Sequence, residues 1–592
     1  MPQVANSPVA AATQKPVIQK QTEKFAYAPI LVIAAFYMFL IALISPAGNF
    51  PLNDDWMYSY AVQQFMETGK FVFVGPNCTS CLLHVLWGAA MCKLFGFSHV
   101  LLRSSTILLA FINSATVYFL AREFRVSKSV STFFALAYTA NPIFLNLAFS
   151  FMTDVPSLCL STASILLTLQ GIKRSSPLRL NFAGLLLLCS IAVRQTNVVL
   201  AAANACVLAC LWLRKRHSWS LFVSLVVLPT VWFKLVDRIA PISTNHPMAY
   251  GWYQKHVNGL FTSLVRTPLN GIYDLSVQTG EAALYIGLLL LPLLLAFAPC
   301  VLDLFKAKVR VIAAWFVASA AIVITTLTKF VVQDQNYMPF CQNLLRVPIL
   351  GSLGIMGINL PLLPKNLRLA LTHLSAAAAV VLMAVSLAGW QRTGRRLWQM
   401  FRAPKAVTPE QRNNESRALA EIFIALSAAG FIAVTVIQAS IVPLDRYYVI
   451  PAASILAFLA ITWRWLRIRP NWIITVPALI LLTTYSVCAQ QDYMSWNRAR
   501  WAAAQWLESK GVSPMQIDGG AEYDFDHNHL LYNNHHRGRP PQNKWRWWSI
   551  SGEDYIVSFS PIPGYEQIAS QNYFSYLTMS KRQLAILKYQ GE

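Results

Sequence analysis

The stretch Gly351–Pro364, GSLGIMGINLPLLP, decides how many times this chain crosses a membrane. It completes an apolar run from Leu344 that is long enough to reach across about 30 Å of hydrocarbon. Three glycines (Gly351, Gly354, Gly357) and two prolines (Pro361, Pro364) interrupt it. Glycine weakens a helix and proline removes a backbone donor. Backbone without internal partners is tolerated at membrane depth only where protein or trapped water satisfies it. The segment Leu344–Pro364 is therefore expected to be a loop or re-entrant segment that stays on one side.

That reading sets the parity of everything around it. Thirteen other runs of spanning character begin near Ala28, Val100, Ser129, Val155, Leu180, Asn197, Ser218, Glu281, Val311, Leu369, Ala418, Tyr448 and Trp472. Basic clusters fall between alternate runs, at Arg122/Arg125/Lys128, Lys173/Arg174/Arg179, Arg214/Lys215/Arg216, Lys306/Lys308/Arg310 and Arg464/Arg467/Arg469. Seven more Lys and Arg lie between Trp390 and Arg417, and Lys15, Lys20 and Lys24 precede the first run. Lys and Arg concentrate in cytoplasmic loops. All these clusters share one side only if Leu344–Pro364 does not cross. The expected fold is an all-α polytopic membrane protein of about thirteen transmembrane helices, with its N-terminus in the cytoplasm and its C-terminus outside.

Composition agrees. Of 592 residues, 56% are hydrophobic and 12% charged, with a mean hydropathy of +0.45. A soluble domain carries about twice that charge, so a soluble multidomain enzyme, a disordered chain and a coiled coil are excluded. The net charge of +23 would point to nucleic acid in a soluble protein. Here it is topogenic, and no nucleic-acid partner is expected. Ten cysteines in a chain this long make no disulfide framework.

Three parts are expected. Residues 1–24 read as a disordered cytoplasmic segment and residues 25–491 as the membrane unit, whose first run has no cleavage signal and reads as a retained anchor. Residues 492–592 read as a small α/β domain outside the membrane. This tail opens with a helical pattern (Trp501, Gln505, Glu508) stopped by Gly511. Strand-like runs follow at residues 515–518 (MQID), 555–559 (YIVSF) and 583–587 (QLAIL).

The first outer loop, residues 48–99, contains PLNDDWMYSYAVQQFMETGKF at 51–71. Asn53 suits a helix cap, Asp54 and Asp55 suit the positive helix N-terminus, and Gly69 suits its end. Trp56, Met57, Tyr60, Ala61 and Phe65 recur at helical spacing, so the helix is expected to lie on the membrane surface. Asp54 and Tyr58 share one face. Such an acid pair either has cationic partners and a task or is a plain cap cluster. Spacing alone leaves both open. Asp154, in FMTDVPSL, falls at the outer end of another run, and a cap again explains it equally well. Parity nevertheless puts Asp54, Asp55 and Asp154 on one face. Arg103, Arg194, Arg346 and Arg446 share that face against the positive-inside trend. Arginine offers phosphate a planar fork of donors, and it also snorkels to headgroups. Arg194 and Arg446, among polar or aromatic neighbours, read as phosphate-binding. Arg103 and Arg346 read rather as headgroup anchors.

Together these residues resemble the GT-C glycosyltransferases, in particular the family 39-like branch of protein O-mannosyltransferases and lipid A aminoarabinose transferases. The family pattern Asp-Glu-x-x-Tyr is matched by Asp54-Asp55-Trp56-Met57-Tyr58, with Asp at the second place. MTDVP around Asp154 and DRYYVIP around Arg446 resemble family segments. The resemblance implies a GT-C fold and inverting transfer of a sugar from a polyprenyl-phosphate donor to an acceptor hydroxyl on the outer face. It implies Asp54 as general base, Asp55 orienting and Asp154 shaping the site. Arg194, Arg446 and Arg103 would hold the donor phosphate, and Tyr58, His84 and Tyr447 would line the pocket. A bacterial inner membrane is the expected location, with membrane lipids, the lipid-linked donor and a glycan, lipid or protein acceptor as partners. The resemblance breaks at residues 75–88, GPNCTSCLLHVLWG, where aminoarabinose transferases carry Tyr-x-Glu-Lys-Pro-Pro. The Glu that can bind a metal there is missing, so a divalent-metal cofactor stays open and the acceptor is not implied.

Weaker signals remain. Cys78-x-x-Cys81 has no second CxxC to complete a metal site. Residues 521–539 gather Asp524, Asp526, His527, His529, His535 and His536 without clean ligand spacing, and read as a solvated loop or acceptor rim. Trp545, Trp547 and Trp548 fit sugar stacking, headgroup contact or core filling equally. The rival functions are a secondary transporter, against which stand the absence of an internal repeat and the outer position of the acids, and a non-catalytic subunit of a glycan export system.

Overall fold

The computed structural model describes residues 27–74, 81–214, 219–243, 255, 257–259, 262–306, 310–341, 344–345, 363–402, 408–527 and 554–590. The chain is a mostly helical, multi-pass integral membrane protein with a small C-terminal sheet.

Among the described residues, nine helices are long and apolar enough to cross a membrane, and two bent pairs add one span each. In chain order the helices are α1 (Ala28–Ile44), α2 (Asp55–Thr68), α3 (Leu82–Phe95) and α4 (His99–Glu123). Next come α5 (Lys128–Thr139) and α6 (Pro142–Ala148), bent by 69°, then α7 (Asp154–Arg174), α8 (Pro177–Ile191), α9 (Val199–Leu213) and α10 (Trp219–Val236). After them come α11 (Pro268–Leu289) and α12 (Leu291–Lys306), bent by 92°, and α13 (Arg310–Leu327). The last four are α14 (Lys365–Arg402), α15 (Pro409–Ile441), α16 (Ala452–Trp465) and α17 (Trp472–Ser509). With the shorter apolar helices α1 and α8, the long helices and bent pairs correspond one for one to the expected spans. Their ends carry ordinary signals. Ser176 caps α8 just ahead of Pro177, Thr408 and Gln411 form a capping box on α15, and Gly69 ends α2 at φ 69°.

The deciding segment is only partly visible. Residues 346–362, Arg346 among them, lie outside the described residues, as does the N-terminal stretch 1–26. The flanks are informative. Arg368, at the start of α14, donates to Asn336 Oδ1 (2.7 Å) and to the Tyr337 carbonyl. Leu344 and Leu345 donate their N–H groups to Asp445, just ahead of α16. The chain after α13 and the start of α14 therefore lie side by side.

Residues 44–54, which lead from α1 to α2, are pinned from two sides. Arg103 of α4 donates to the carbonyls of Pro46, Gly48 and Phe50. Arg498 of α17 donates to those of Ser45 (2.7 Å) and Ala47 (3.0 Å). The helix α2 does not lie on a lipid surface. Trp56, Met57 and Ala61 are buried against protein, and Trp56 stacks on Phe525 of the tail at 4.8 Å. Its apolar stripe found a protein partner far along the chain instead of lipid.

The helix α17 runs unbroken from the membrane through Asp492 into the tail and stops two residues before Gly511 (φ 83°). The tail sheet has the order β1 (Ile517–Asp518), β2 (Tyr555–Ser558), β4 (Ser580–Tyr589), β3 (Tyr565–Ser575). The β1–β2 pair is parallel, and β2–β4 and β4–β3 are antiparallel, with a register shift between Gln567 and Ala569. Asp492 fastens the sheet to α17, accepting from Ser575 Oγ (2.7 Å) and the Tyr576 N–H.

Candidate active site

Asn53 does not cap α2. It adopts φ +56°, and this left-handed turn makes Asp54 the cap residue. Asn tolerates that conformation better than most residues. Asp54 makes no side-chain cap bond either. Its Oδ2 accepts from Arg446 Nη1 at 2.6 Å, with the two side chains 32% and 12% exposed. Asp55 points the other way. It is buried, and it accepts the N–H groups of Leu52 (2.5 Å) and Phe151 (2.9 Å). Burial pushes its carboxyl up to about 7, against the pull of Arg103 and the two N–H donors. Two adjacent acids thus have separate jobs. One faces an arginine at the rim, and the other ties the start of α2 to the turn before α7.

Phe151 leads into α7, whose first residue is Asp154. Arg194 Nη1 donates to Asp154 Oδ1, and both side chains are buried. The second oxygen, Asp154 Oδ2, has no hydrogen-bond partner among the described residues. A 3₁₀ turn at Gln195–Val198 follows Arg194, and Asn197 Nδ2 fixes it by donating to Ser157 Oγ (2.7 Å) and to the carbonyls of Ser190 and Arg194 (3.1 Å each).

His84 and Tyr58 pack beside these acids. His84 stacks on Phe151 at 4.0 Å and Tyr58 meets the imidazole edge-on at 5.5 Å. The Phe151 carbonyl lies 3.1 Å from His84 Nε2, so that nitrogen carries the proton. Burial lowers the imidazole to about 4 and keeps it neutral. Burial foremost, then Cys81 and Asp54, raises the Tyr58 phenol.

Arg446 sits in the 3₁₀ turn Asp445–Val449, with its guanidinium 5.8 Å from the Tyr447 ring. Asp445 repeats the role of Asp55. It is fully buried and accepts from the Leu344 (3.1 Å) and Leu345 (2.6 Å) N–H groups. The quoted motif DRYYVIP contains it, but the arginine beside it draws the attention. An acid flanking a site arginine is a signal that sequence reading can use.

Asp54, Asp154, Arg194, Arg446, Tyr58, His84 and Tyr447 therefore gather where the starts of α2, α3 and α7 meet the turns before α9 and α16. Arg103 does not join them. Its guanidinium is spent on the three carbonyls beneath the loop, and its side chain is 1% exposed, so it neither faces a phosphate pocket nor snorkels. A second clamp was invisible in the sequence. Glu522, in the helical residues 521–527, accepts from the Asn53 N–H (3.2 Å) and pairs with buried Arg500 (2.6 Å). The tail thus holds the residue next to Asp54.

The remaining candidates fall elsewhere. Asp524 accepts from Gly519 N–H, and His527 packs on Tyr523 at 4.2 Å. Cys81 is buried. Cys78, His529, His535, His536, Trp545, Trp547 and Trp548 lie outside the described residues. Among the described residues no three His, Cys, Asp or Glu side chains come together to hold a metal ion. Asp54 and Asp154 each face an arginine instead.

Residues 82–233 match the family model described as dolichyl-phosphate-mannose-protein mannosyltransferase. That segment is similar in sequence to this mannosyltransferase family. It contains His84, Asp154 and Arg194 but neither Asp54 nor Arg446. The structure is similar to ArnT from Cupriavidus metallidurans in the apo state, at 13% identity and a TM-score of 0.36, covering 95% of this chain and 98% of that one. The same ArnT bound to undecaprenyl phosphate gives 11% identity and a TM-score of 0.36, covering 96% and 99%. The Archaeoglobus fulgidus oligosaccharyltransferase gives 12% identity and a TM-score of 0.41, covering 88% of this chain and 60% of that one. No curated protein matches the chain in sequence.

Proposed function

We propose that this protein is an inverting glycosyltransferase that moves a sugar from a polyprenyl-phosphate donor to an acceptor hydroxyl, with Asp54 as general base. The observation that carries the reading is the contrast within the acid pair. Asp55 is sealed and committed to two backbone donors, whereas Asp54 is part exposed and held by one exchangeable cation. The family matched by residues 82–233 is itself named for a polyprenyl-phosphate sugar donor.

The chemistry follows from the pairing. A donor phosphate beside Arg446 and Arg194 competes with the carboxylates for the guanidinium groups, which bind phosphate in a bidentate fork. As Arg446 turns toward phosphate, Asp54 is released to accept a proton. The acceptor oxygen attacks the anomeric carbon and its proton passes to Asp54. The bond from that carbon to the phosphate oxygen breaks, and polyprenyl phosphate leaves with the electron pair. A single displacement inverts the anomeric centre, and the arginines stabilise the charge building on the leaving group. The neutral, buried His84 and Tyr58 shape the wall beside Asp54. Such donors are used on the outer face of a membrane, which places the α/β tail outside and fits a bacterial inner membrane. The domain division at residue 492 belongs to the same proposal.

Incubating the purified chain with labelled polyprenyl-phosphate sugars and candidate acceptors tests this. Release of polyprenyl phosphate with label on the acceptor, at the opposite anomeric configuration, is expected. Intact donor with every sugar and acceptor class, from protein that binds the donor, would sink it.

A further inference from the structure

The helix α7 carries Asp154 at one end and Lys173 in its last turn, separated along the axis by about 28 Å at 1.5 Å per residue. At that far end lies a cavity of about 300 Å³, opposite the acid–arginine site. Six cations line it. Arg125 comes from the turn after α4, Lys173 from α7, Arg392 and Arg396 from α14, Arg417 from α15 and Arg464 from the end of α16. Only two carboxylates face them, Glu123 and Glu421.

Both acids are already engaged. Glu421 pairs with Arg392 (3.3 Å) and Arg396 (2.5 Å). Glu123 pairs with Lys173 (3.5 Å) and with Arg174 (3.3 Å), and also accepts from Gln170. Arg125, Arg417 and Arg464 have no carboxylate partner among the described residues. The positive-inside tendency accounts for basic residues on this face. It does not account for their convergence on one cavity from five segments. Loop cations left to themselves spread apart, because like charges repel and solvent separates them. Here the ends of packed helices hold them together.

We propose that this cavity binds a phosphate-bearing anion. The net positive lining suits a group with more than one negative charge, and five of the six cations offer the planar fork that matches phosphate oxygens. The volume lies at the small end of the range for ligand pockets, which suits a phosphate or a small phosphorylated headgroup. Its level is also right, since the ends of membrane helices meet the headgroup layer, where basic pockets between helices hold anionic lipids. Two sources share this chemistry, the headgroup of an anionic phospholipid and a free phosphate compound. The inference does not rest on the proposed transfer reaction.

The test uses the full chain in neutral detergent and reads thermal unfolding and native mass spectrometry, without an activity assay. Inorganic pyrophosphate, phosphatidylglycerol and phosphatidylcholine are added separately to wild type, to Arg417→Gln, and to Arg417→Gln with Arg464→Gln. Pyrophosphate or phosphatidylglycerol should raise the midpoint of the wild type, and phosphatidylcholine should not. The double variant should bind about tenfold or more weakly, as loss of two charge-assisted contacts requires. A gain with phosphatidylglycerol alone identifies the lipid source, and a gain with pyrophosphate identifies a free anion. If the double variant fails to fold, Arg125→Gln serves in its place, because that side chain is exposed. No gain with either anion, or an undiminished gain in the variants, overturns the proposal.

Discussion

The two ends of the membrane unit handle charge in opposite ways. Where Asp54 lies, acids and arginines meet one to one, as Asp54 with Arg446 and Asp154 with Arg194. At the far end of α7, six cations share two carboxylates. A balanced pair is suited to exchange, since an incoming phosphate can take the arginine and free the acid. An unbalanced cluster is suited to capture, because its excess charge has no internal partner to release. The same side chains, arginine and carboxylate, thus stand in balanced pairs at one end and with cations in excess at the other.

The sharpest way to break that contrast is Asp54→Asn. It keeps size and most contacts but removes the proton acceptor. Transfer from a labelled donor should fall by roughly 10²–10⁴-fold, while donor affinity barely changes. Equal loss at Asp55→Asn, with the protein still folded, would move the base by one residue.

Next comes the clamp behind the pair. Glu522→Gln leaves Arg500 buried beside Trp496 and Trp501 without its counter-charge. Breaking a buried pair costs about 3–5 kcal/mol. The unfolding midpoint should drop and the tail should become sensitive to protease. Converting both residues to leucine should recover much of the loss, and no recovery would show that the charges themselves hold the tail down.

Smaller effects follow at the arginines. Arg446→Lys keeps the charge and loses the fork, and should weaken donor binding about tenfold at unchanged expression. Wild-type affinity in both Arg446→Lys and Arg194→Lys would mean that they neutralise the acids and never meet phosphate.

A pH series reports on Asp55. Its folded-state carboxyl titrates near 7, above the ordinary value of 3.8. The native state therefore holds a proton that the unfolded chain gives up between those values. The contribution is present in full below about 4 and is lost as pH rises through 7. Stability of the wild type should thus decline more steeply between pH 4 and 7 than that of Asp55→Asn. Parallel curves would refute the burial assigned to this group. The smallest effect is expected at Arg125→Gln, which should leave the transfer rate within about twofold, as assayed at saturating donor.

How much of this was legible depends on the range of the signal. Membrane spans announce themselves through hydropathy and flanking charge, and among the described residues eleven of the thirteen expected runs are helices or bent pairs long enough to cross, while α1 and α8 are shorter apolar helices. Asp54, Asp154, Arg194 and Arg446 were legible because charge at the outer end of a span needs a reason. The strand β3 was not. Its sequence YEQIASQNYFS lies at a sheet edge with only two of its eleven residues buried, so it carries no apolar alternation. The cap on α2 was misassigned because Asn53 turns left-handed and donates its N–H to Glu522, 469 residues away. Nothing local encodes that contact. Arg103 misled for a related reason, since its carbonyl partners belong to a loop whose path only the fold defines.

One feature reaches beyond the site. The helix α17 has 38 residues, about 57 Å of continuous rod, nearly twice the hydrocarbon thickness of a bilayer. Its free half bears Asp492, Arg498 and Arg500, which grip the sheet, the α1–α2 linker and Glu522. A rod anchored this way works as a lever. A tilt of 10° at the membrane moves the tip about 5 Å over a lever of about 27 Å. Bilayers of different thickness tilt helices to match. Were the rod to tilt in this way, its contacts with Glu522 and with the α1–α2 linker would carry the displacement to the turn that presents Asp54.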